Sequence, residues 1–142
     1  IQEKLSNKKA KGLYEEARFL QEQGNYAEAI EEYTRMLEEY PKAYWTPYAQ
    51  YSKAEALYVQ QKYKEAVAAW QKVIDNFPGS DMSPHSLYHI AECYEKLKDY
   101  KNAYQSYLKL QQVYPESIYA RGELSELIKK QADKLKTMAE IK

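Results

Sequence analysis

His85, His89 and Cys93 stand four residues apart, a spacing that on a helix could bring two imidazoles and a thiol towards one metal ion. Three further rows of side chains return at an interval of 37 residues: Lys11, Tyr48 and His85; Tyr14, Tyr51 and Tyr88; Arg18, Glu55 and Glu92. Such rows are suited to recognition rather than to bond making, because tyrosine gives a large contact area with few rotors to freeze and a hydroxyl that tolerates a wet edge. The metal reading weakens on inspection. Four-residue steps drift around a helix, and in the 37-residue register Cys93 falls with Phe19 and Ala56, a row expected to be buried, whereas His85 falls with Lys11 and Tyr48. Cys93 is therefore expected to be a small core thiol, with no metal bound. Neither a glycine-rich phosphate loop nor a Gly-x-Ser-x-Gly turn occurs, and the carboxylates sit at the spacings of solvated helix faces. No catalytic site and no cofactor is expected. The candidate partner-binding residues are the three rows together with Tyr58 and His89.

The elements that must carry these rows follow from the same interval. Tyr26 and Ala29 return as Tyr63 and Ala66 and again as Tyr100 and Ala103, while Tyr40-Pro41 returns as Phe77-Pro78 and Tyr114-Pro115, each step 37 residues. A period held over three copies without insertion means a stacked repeat that buries its apolar side only against its neighbours. In the first repeat a helix A is predicted from about Leu13 to Gln23, with Leu13, Ala17 and Leu20 on one face. Gly24 ends it as a left-handed cap, and Asn25 with Glu28 forms a capping-box-like start for helix B, which runs to about Glu39. Tyr26, Ala29, Ile30, Tyr33, Met36 and Leu37 make its buried stripe, and Pro41 forbids further helix. Thr46-Pro47 and Ser83-Pro84 mark two later helix starts, each a cap residue followed by proline at the first helical position. Repeat two pairs helices over about 47–61 and 63–76, and repeat three follows with Tyr88, Ala91 and Tyr94, then Tyr100, Ala103 and Tyr107. Tyr26, Tyr33, Tyr63, Tyr94, Tyr100 and Tyr107 are assigned to the core by register.

The predicted fold is all-α, a right-handed α-α superhelix of three helix-turn-helix repeats over 13–117. A charged helical lead-in over 1–12 precedes it and a capping helix over 118–142 follows. Leu124, Leu127 and Ile128 of that last helix are expected to cover helix B of repeat three. Composition agrees: four glycines and five prolines in 142 residues fall mostly at repeat junctions, leaving long stretches of good helix formers. Lys plus Arg equals Asp plus Glu at 21 each, so net charge points neither to nucleic acid nor to an anionic membrane. One cysteine excludes an internal disulfide, and no apolar run approaches the length of a spanning helix. Direct membrane insertion is not expected of this stretch. Because it opens on Ile1 rather than Met, a processed or excised piece is one expectation.

The small residues at Ala17, Ala54 and Ala91 and at Ala29, Ala66 and Ala103, the large ones at Tyr33, Trp70 and Tyr107, and the closing prolines together resemble the tetratricopeptide repeat. The likeness covers about Leu13 to Pro115 and departs from it in a period of 37 where about 34 is usual. Asn25-Tyr26-Ala27-Glu28-Ala29-Ile30, Tyr40-Pro41, Tyr48-Ala49-Gln50-Tyr51, Tyr63-Lys64-Glu65-Ala66 and Phe77-Pro78-Gly79-Ser80 carry a closer resemblance. They look like a bacterial subgroup that includes the periplasmic coordinator of the Tol-Pal system and the outer-membrane lipoprotein of the β-barrel assembly machinery. That resemblance implies a cell-envelope adaptor, in the periplasm or on the periplasmic face of the outer membrane, with a protein or peptide segment in a concave groove lined by the A helices. The three rows would then be the groove. It is mixed in charge and lacks the repeated Lys and Asn that would clamp a terminal carboxylate, so an internal segment, extended or helical, is the expected ligand. The alternative is a structural role, in which the repeats and capping helix mediate self-association or space two parts of a longer protein.

Overall fold

Stretches of strong helix formers broken only by Gly and Pro signals leave the backbone few choices, and the computed structural model, which describes residues 1–141, follows that punctuation. The described residues form α1 (Gln2–Glu22), α2 (Tyr26–Glu39), α3 (Thr46–Val59), α4 (Tyr63–Asn76), α5 (Met82–Lys96) and α6 (Tyr100–Val113). A 3-10 turn (Ile118–Ala120) and α7 (Gly122–Ile141) follow, and there is no strand among the described residues. Each helix packs on its neighbours in sequence, and α1, α3 and α5 also touch one another in that order along one side of the array. They are the A helices, and α2, α4 and α6 are the B helices. Helix α1 runs without a break from Gln2, so the charged lead-in is its first part.

Packing follows the 37-residue rows. Ala17, Ala54 and Ala91 on the A helices and Ala29, Ala66 and Ala103 on the B helices are all fully buried. These small residues admit the neighbouring helix, and one turn on Tyr33, Trp70 and Tyr107 fill the space, with Met36, Val73 and Leu110 beneath them. The result is three apolar clusters in succession along the array. Tyr26, Tyr63, Tyr94 and Tyr100, predicted as core, are only half-buried. They stand at or near the A–B turns, where the stack is thinnest.

Two further expectations are corrected where the repeat loses a neighbour. Phe19 shares a row with Ala56 and Cys93, both fully buried, yet it is 61% exposed, because among the described residues no B helix packs on that face of α1. Leu127 is 60% exposed instead of covering α6. The 3-10 turn and the left-handed Gly122 (φ 64°) restart the chain, so α7 meets α6 through Ser125, Ile128, Ala132 and Leu135, with Leu124 and Met138 at the edge.

The A–B turns repeat as strictly as the core. Gly24, Gln61 and Lys98, spaced by the period, all adopt left-handed backbone, with φ of 82°, 62° and 60°. A side chain there is strained by roughly 1 kcal/mol. Gln61→Gly and Lys98→Gly are each expected to raise stability by about 0.5 kcal/mol, the relief of strain exceeding the extra freedom of the unfolded glycine. Urea denaturation checks this, and a lowered midpoint would show that these side chains make compensating contacts. Asn25 flanks α2 as expected, but its side chain makes no capping hydrogen bond. The cap that forms is Asp99, two repeats on, accepting from the Asn102 N–H at 3.3 Å. Thr46 and Ser83 also act otherwise than predicted. Trp45 and Asp81 before them are already in helical backbone, which places both hydroxyls inside the first turn. There they donate back to the carbonyls of the residues that cap the preceding B helices, Thr46 to Tyr40 O at 2.5 Å and Ser83 to Phe77 O at 2.7 Å.

Candidate functional site

The tyrosine row on the A helices is built against the aromatic row on the B helices. Ring centroids lie 6.1 Å apart for Tyr14–Tyr33, 6.0 Å for Tyr51–Trp70 and 5.9 Å for Tyr88–Tyr107. A third row, Trp45, Met82 and Tyr119, opens the following repeat. Trp45 stacks on Tyr14 at 5.3 Å and 21°, and Tyr119 stacks on Tyr88 at 4.7 Å and 14°. At the middle position the row carries methionine instead of a ring. There the A-helix face opens into a depression of about 640 Å³ whose walls include Tyr14, Tyr48, Tyr51, Glu55, Val59 and Met82.

Charge in this depression is unevenly satisfied. Arg18 donates to the Tyr14 hydroxyl at 3.2 Å and lies 3.8 Å from the Glu22 carboxylate, an exposed pair of little energetic weight. The Tyr14 bond is the main reason its guanidinium pKa is raised. Glu55 is half-buried, and no hydrogen bond or ion pair reaches its carboxylate among the described residues. Burial pushes its pKa above the ordinary value, with His89 and Arg18 opposing. The Tyr51 hydroxyl is raised by burial first and by Glu55 second. Tyr48 donates to Asp81 Oδ1 at 3.1 Å and is pushed up to about 12, by burial first and then by that carboxylate.

Of the sequence-predicted residues, the structure brings Tyr14, Arg18, Tyr48, Tyr51 and Glu55 to this one depression. Tyr14 is almost wholly buried and contributes a wall rather than an open face. Tyr58 meets the edge of Tyr63 at 5.3 Å and Trp70 at 5.9 Å. His89 stacks on Trp70 at 4.9 Å, and its Nδ1 lies 2.7 Å from Glu92 Oε1. Lys11 is exposed and lines a separate hollow with Glu15, Phe19 and Trp45.

His85 and Tyr88 belong to the closed end, where His85 Nδ1 and the Tyr119 hydroxyl are 2.6 Å apart. Burial, and then His89, lowers the His85 pKa, so the ring is neutral at pH 7 and a single hydrogen lies in that contact. Tyr119 itself, pushed up to about 12 by burial, and Met82 were absent from the predicted set. The signal was present, since both follow Trp45 at steps of 37. Cys93 is fully buried and its thiol is pushed up to about 12 by burial, which makes it unreactive. His85, His89 and Cys93 therefore point to different surroundings, and no group of three or more His, Cys, Asp and Glu placed to hold a metal occurs among the described residues. No helix among them is long and apolar enough to cross a membrane.

A comparison with curated proteins gives no match. Solved structures share the fold at low identity. MamA (41 to its end) from Desulfovibrio magneticus RS-1 is 22% identical, with a TM-score of 0.64 over 92% of this chain and 70% of that one. The Yersinia enterocolitica type III secretion chaperone SycD, solved with a peptide of the translocator YopD, is 15% identical, with a TM-score of 0.71 over 89% of this chain and 92% of its own. The first such domain of Spaghetti, bound to an HSP90 peptide, is 19% identical, with a TM-score of 0.69 over 91% and 94%. Family profiles described as tetratricopeptide repeat match residues 14–81 and 85–117, which take in most of the A-helix rows and the Tyr33, Trp70 and Tyr107 row behind them but not Lys11 or Met82. The chain belongs to the tetratricopeptide repeat family, whose fold is generally a protein-interaction module, and no catalytic family is indicated.

Proposed function

We propose that this chain is a non-enzymatic adaptor that holds an internal segment of another protein on its A-helix face, in the bacterial cell envelope. The observation that carries the reading is the depression of about 640 Å³ at Tyr51, where the covering row changes from a ring to Met82. It is open, aromatic on two sides, and built from helices rather than from mobile loops, which reduces the entropy lost on binding. Neighbours of the same fold solved with peptides, SycD and the Spaghetti domain, support the general mode. The envelope setting rests on the likeness of the Tyr-Pro loops to the periplasmic subgroup.

Photo-cross-linking in intact cells tests both parts. A photo-reactive phenylalanine is placed at Val59, an exposed residue of the depression, or at Ala68, an exposed residue of the B helix α4. The expected result is capture of an envelope protein from Val59 and not from Ala68. Equal capture at the two positions would overturn the groove, and a cytosolic partner would overturn the envelope setting. A cross-link to a second copy of the chain would assign the surface to self-association.

A further inference from the structure

The depression contains one cation and two carboxylates, Arg18 against Glu22 and Glu55. Arg18 is already engaged, by the Tyr14 hydroxyl and by Glu22. Glu55 is not. It is half-buried on the wall formed by α3, beside the half-buried rings of Tyr48 and Tyr51, and has no hydrogen-bonding or ion-pairing partner among the described residues. A carboxylate withdrawn from water without a direct partner is costly, and burial raises its pKa despite the opposing charges of His89 and Arg18. The rings of Tyr48 and Tyr51 also line the depression, and an aromatic face attracts a cation through its quadrupole. Carboxylate and rings thus favour the same kind of visitor.

We infer that the segment held in this groove presents a lysine or arginine side chain, its aliphatic stem lying along Tyr48 and Tyr51 and its cation seated on Glu55. The inference rests on the proposed groove function and goes further in naming the chemistry of the ligand. The cation supplies the partner Glu55 lacks, in a site shielded enough for the pair to exceed a surface ion pair, and the rings add cation–π attraction. An anionic or carboxylate-terminated segment would meet Glu22 and Glu55 with Arg18 already committed.

The probe is a display library of unstructured decapeptides selected against the whole chain, with binding remeasured by fluorescence anisotropy on synthetic peptides. Selected peptides are expected to be enriched in Lys or Arg and to compete with one another. Replacing the key Lys by norleucine, which keeps the stem and removes the charge, is expected to weaken binding about tenfold. Glu55→Gln is expected to weaken the Lys peptide by a similar factor and to leave the norleucine peptide unchanged. The same variant should melt at or above the wild-type temperature at pH 7, since it removes the charge of a half-buried carboxylate that has no direct partner, so a loss of binding cannot be put down to misfolding. Peptides that cross-link from Val59 yet show no Lys or Arg preference, or that bind Glu55→Gln as well as wild type, would overturn the inference and leave the groove reading standing. A library that yields no groove-directed binder would overturn both.

Discussion

A chain ending at Ser117 is expected to unfold at a much lower denaturant concentration than the full chain and to bind a hydrophobic dye. Helix α7 buries Ile128, Ala132 and Leu135 in the cluster that also holds Ala103, Tyr107 and Leu110, and the cut removes Tyr119 from its stack on Tyr88. Losing the burial of Ile128 and Leu135 alone is worth about 3 to 6 kcal/mol, comparable with the whole stability of a modest domain. The newly bare face of α6 adds an aggregation hazard. A second truncation, after Leu135, separates this from a general intolerance of shortening: it retains the buried stripe and is expected to keep most of the stability. Should the chain ending at Ser117 melt where the full chain does, α7 contributes nothing to the stack and its apolar stripe is available to a partner.

Trp70→Ala is expected to be the most damaging single substitution, at roughly 3 to 5 kcal/mol. Trp70 is only 1% exposed and is surrounded by the rings of Tyr51, Tyr58 and His89. Its removal leaves a cavity at the centre of the middle repeat, where neither end of the array can relax to fill it. Its Nε1 is buried with no hydrogen-bond partner among the described residues, and such a group is itself destabilising. Trp70→Phe removes that donor while retaining a ring, and should cost far less than alanine. Equilibrium denaturation of the two variants checks the pair. Equal losses would mean that ring volume is not what the site requires.

The repeat interval made the interior legible. Knowing that Ala29 recurs as Ala66 and Ala103, and Tyr33 as Trp70 and Tyr107, is enough to say which side chains meet, because a stack repeats its contacts whenever it repeats its spacing. The same logic fails wherever a residue lacks a copy of its neighbour. Phe19 has the register of a core residue without the helix that would bury it, and Leu127 has the register of a docking residue on a helix that Gly122 has turned. The groove rows lay in the sequence, but their division into an open middle and a closed end did not. That depends on which side chain covers each tyrosine: the 37-residue step marks Tyr119 as the copy of Trp45, but not that it stacks on Tyr88 from a 3-10 turn. The 37-residue row placed Glu55 in the groove, but its half-burial without a hydrogen-bond partner depends on how the neighbouring helices pack, which its own helix does not reveal.

Helices that pack on their neighbours in chain order set the pace of folding as well as its end point. Forming any of the three apolar clusters requires the chain to close only a short loop, so little entropy is lost before contacts begin to compensate. Low contact order of this kind accompanies fast folding, and nucleation is free to begin in whichever helix pair forms first and to spread in both directions. Opening should run the other way. The outer face of α1, which carries the exposed Phe19 and on which no B helix packs among the described residues, is expected to be where the array frays first and where its amide hydrogens exchange soonest.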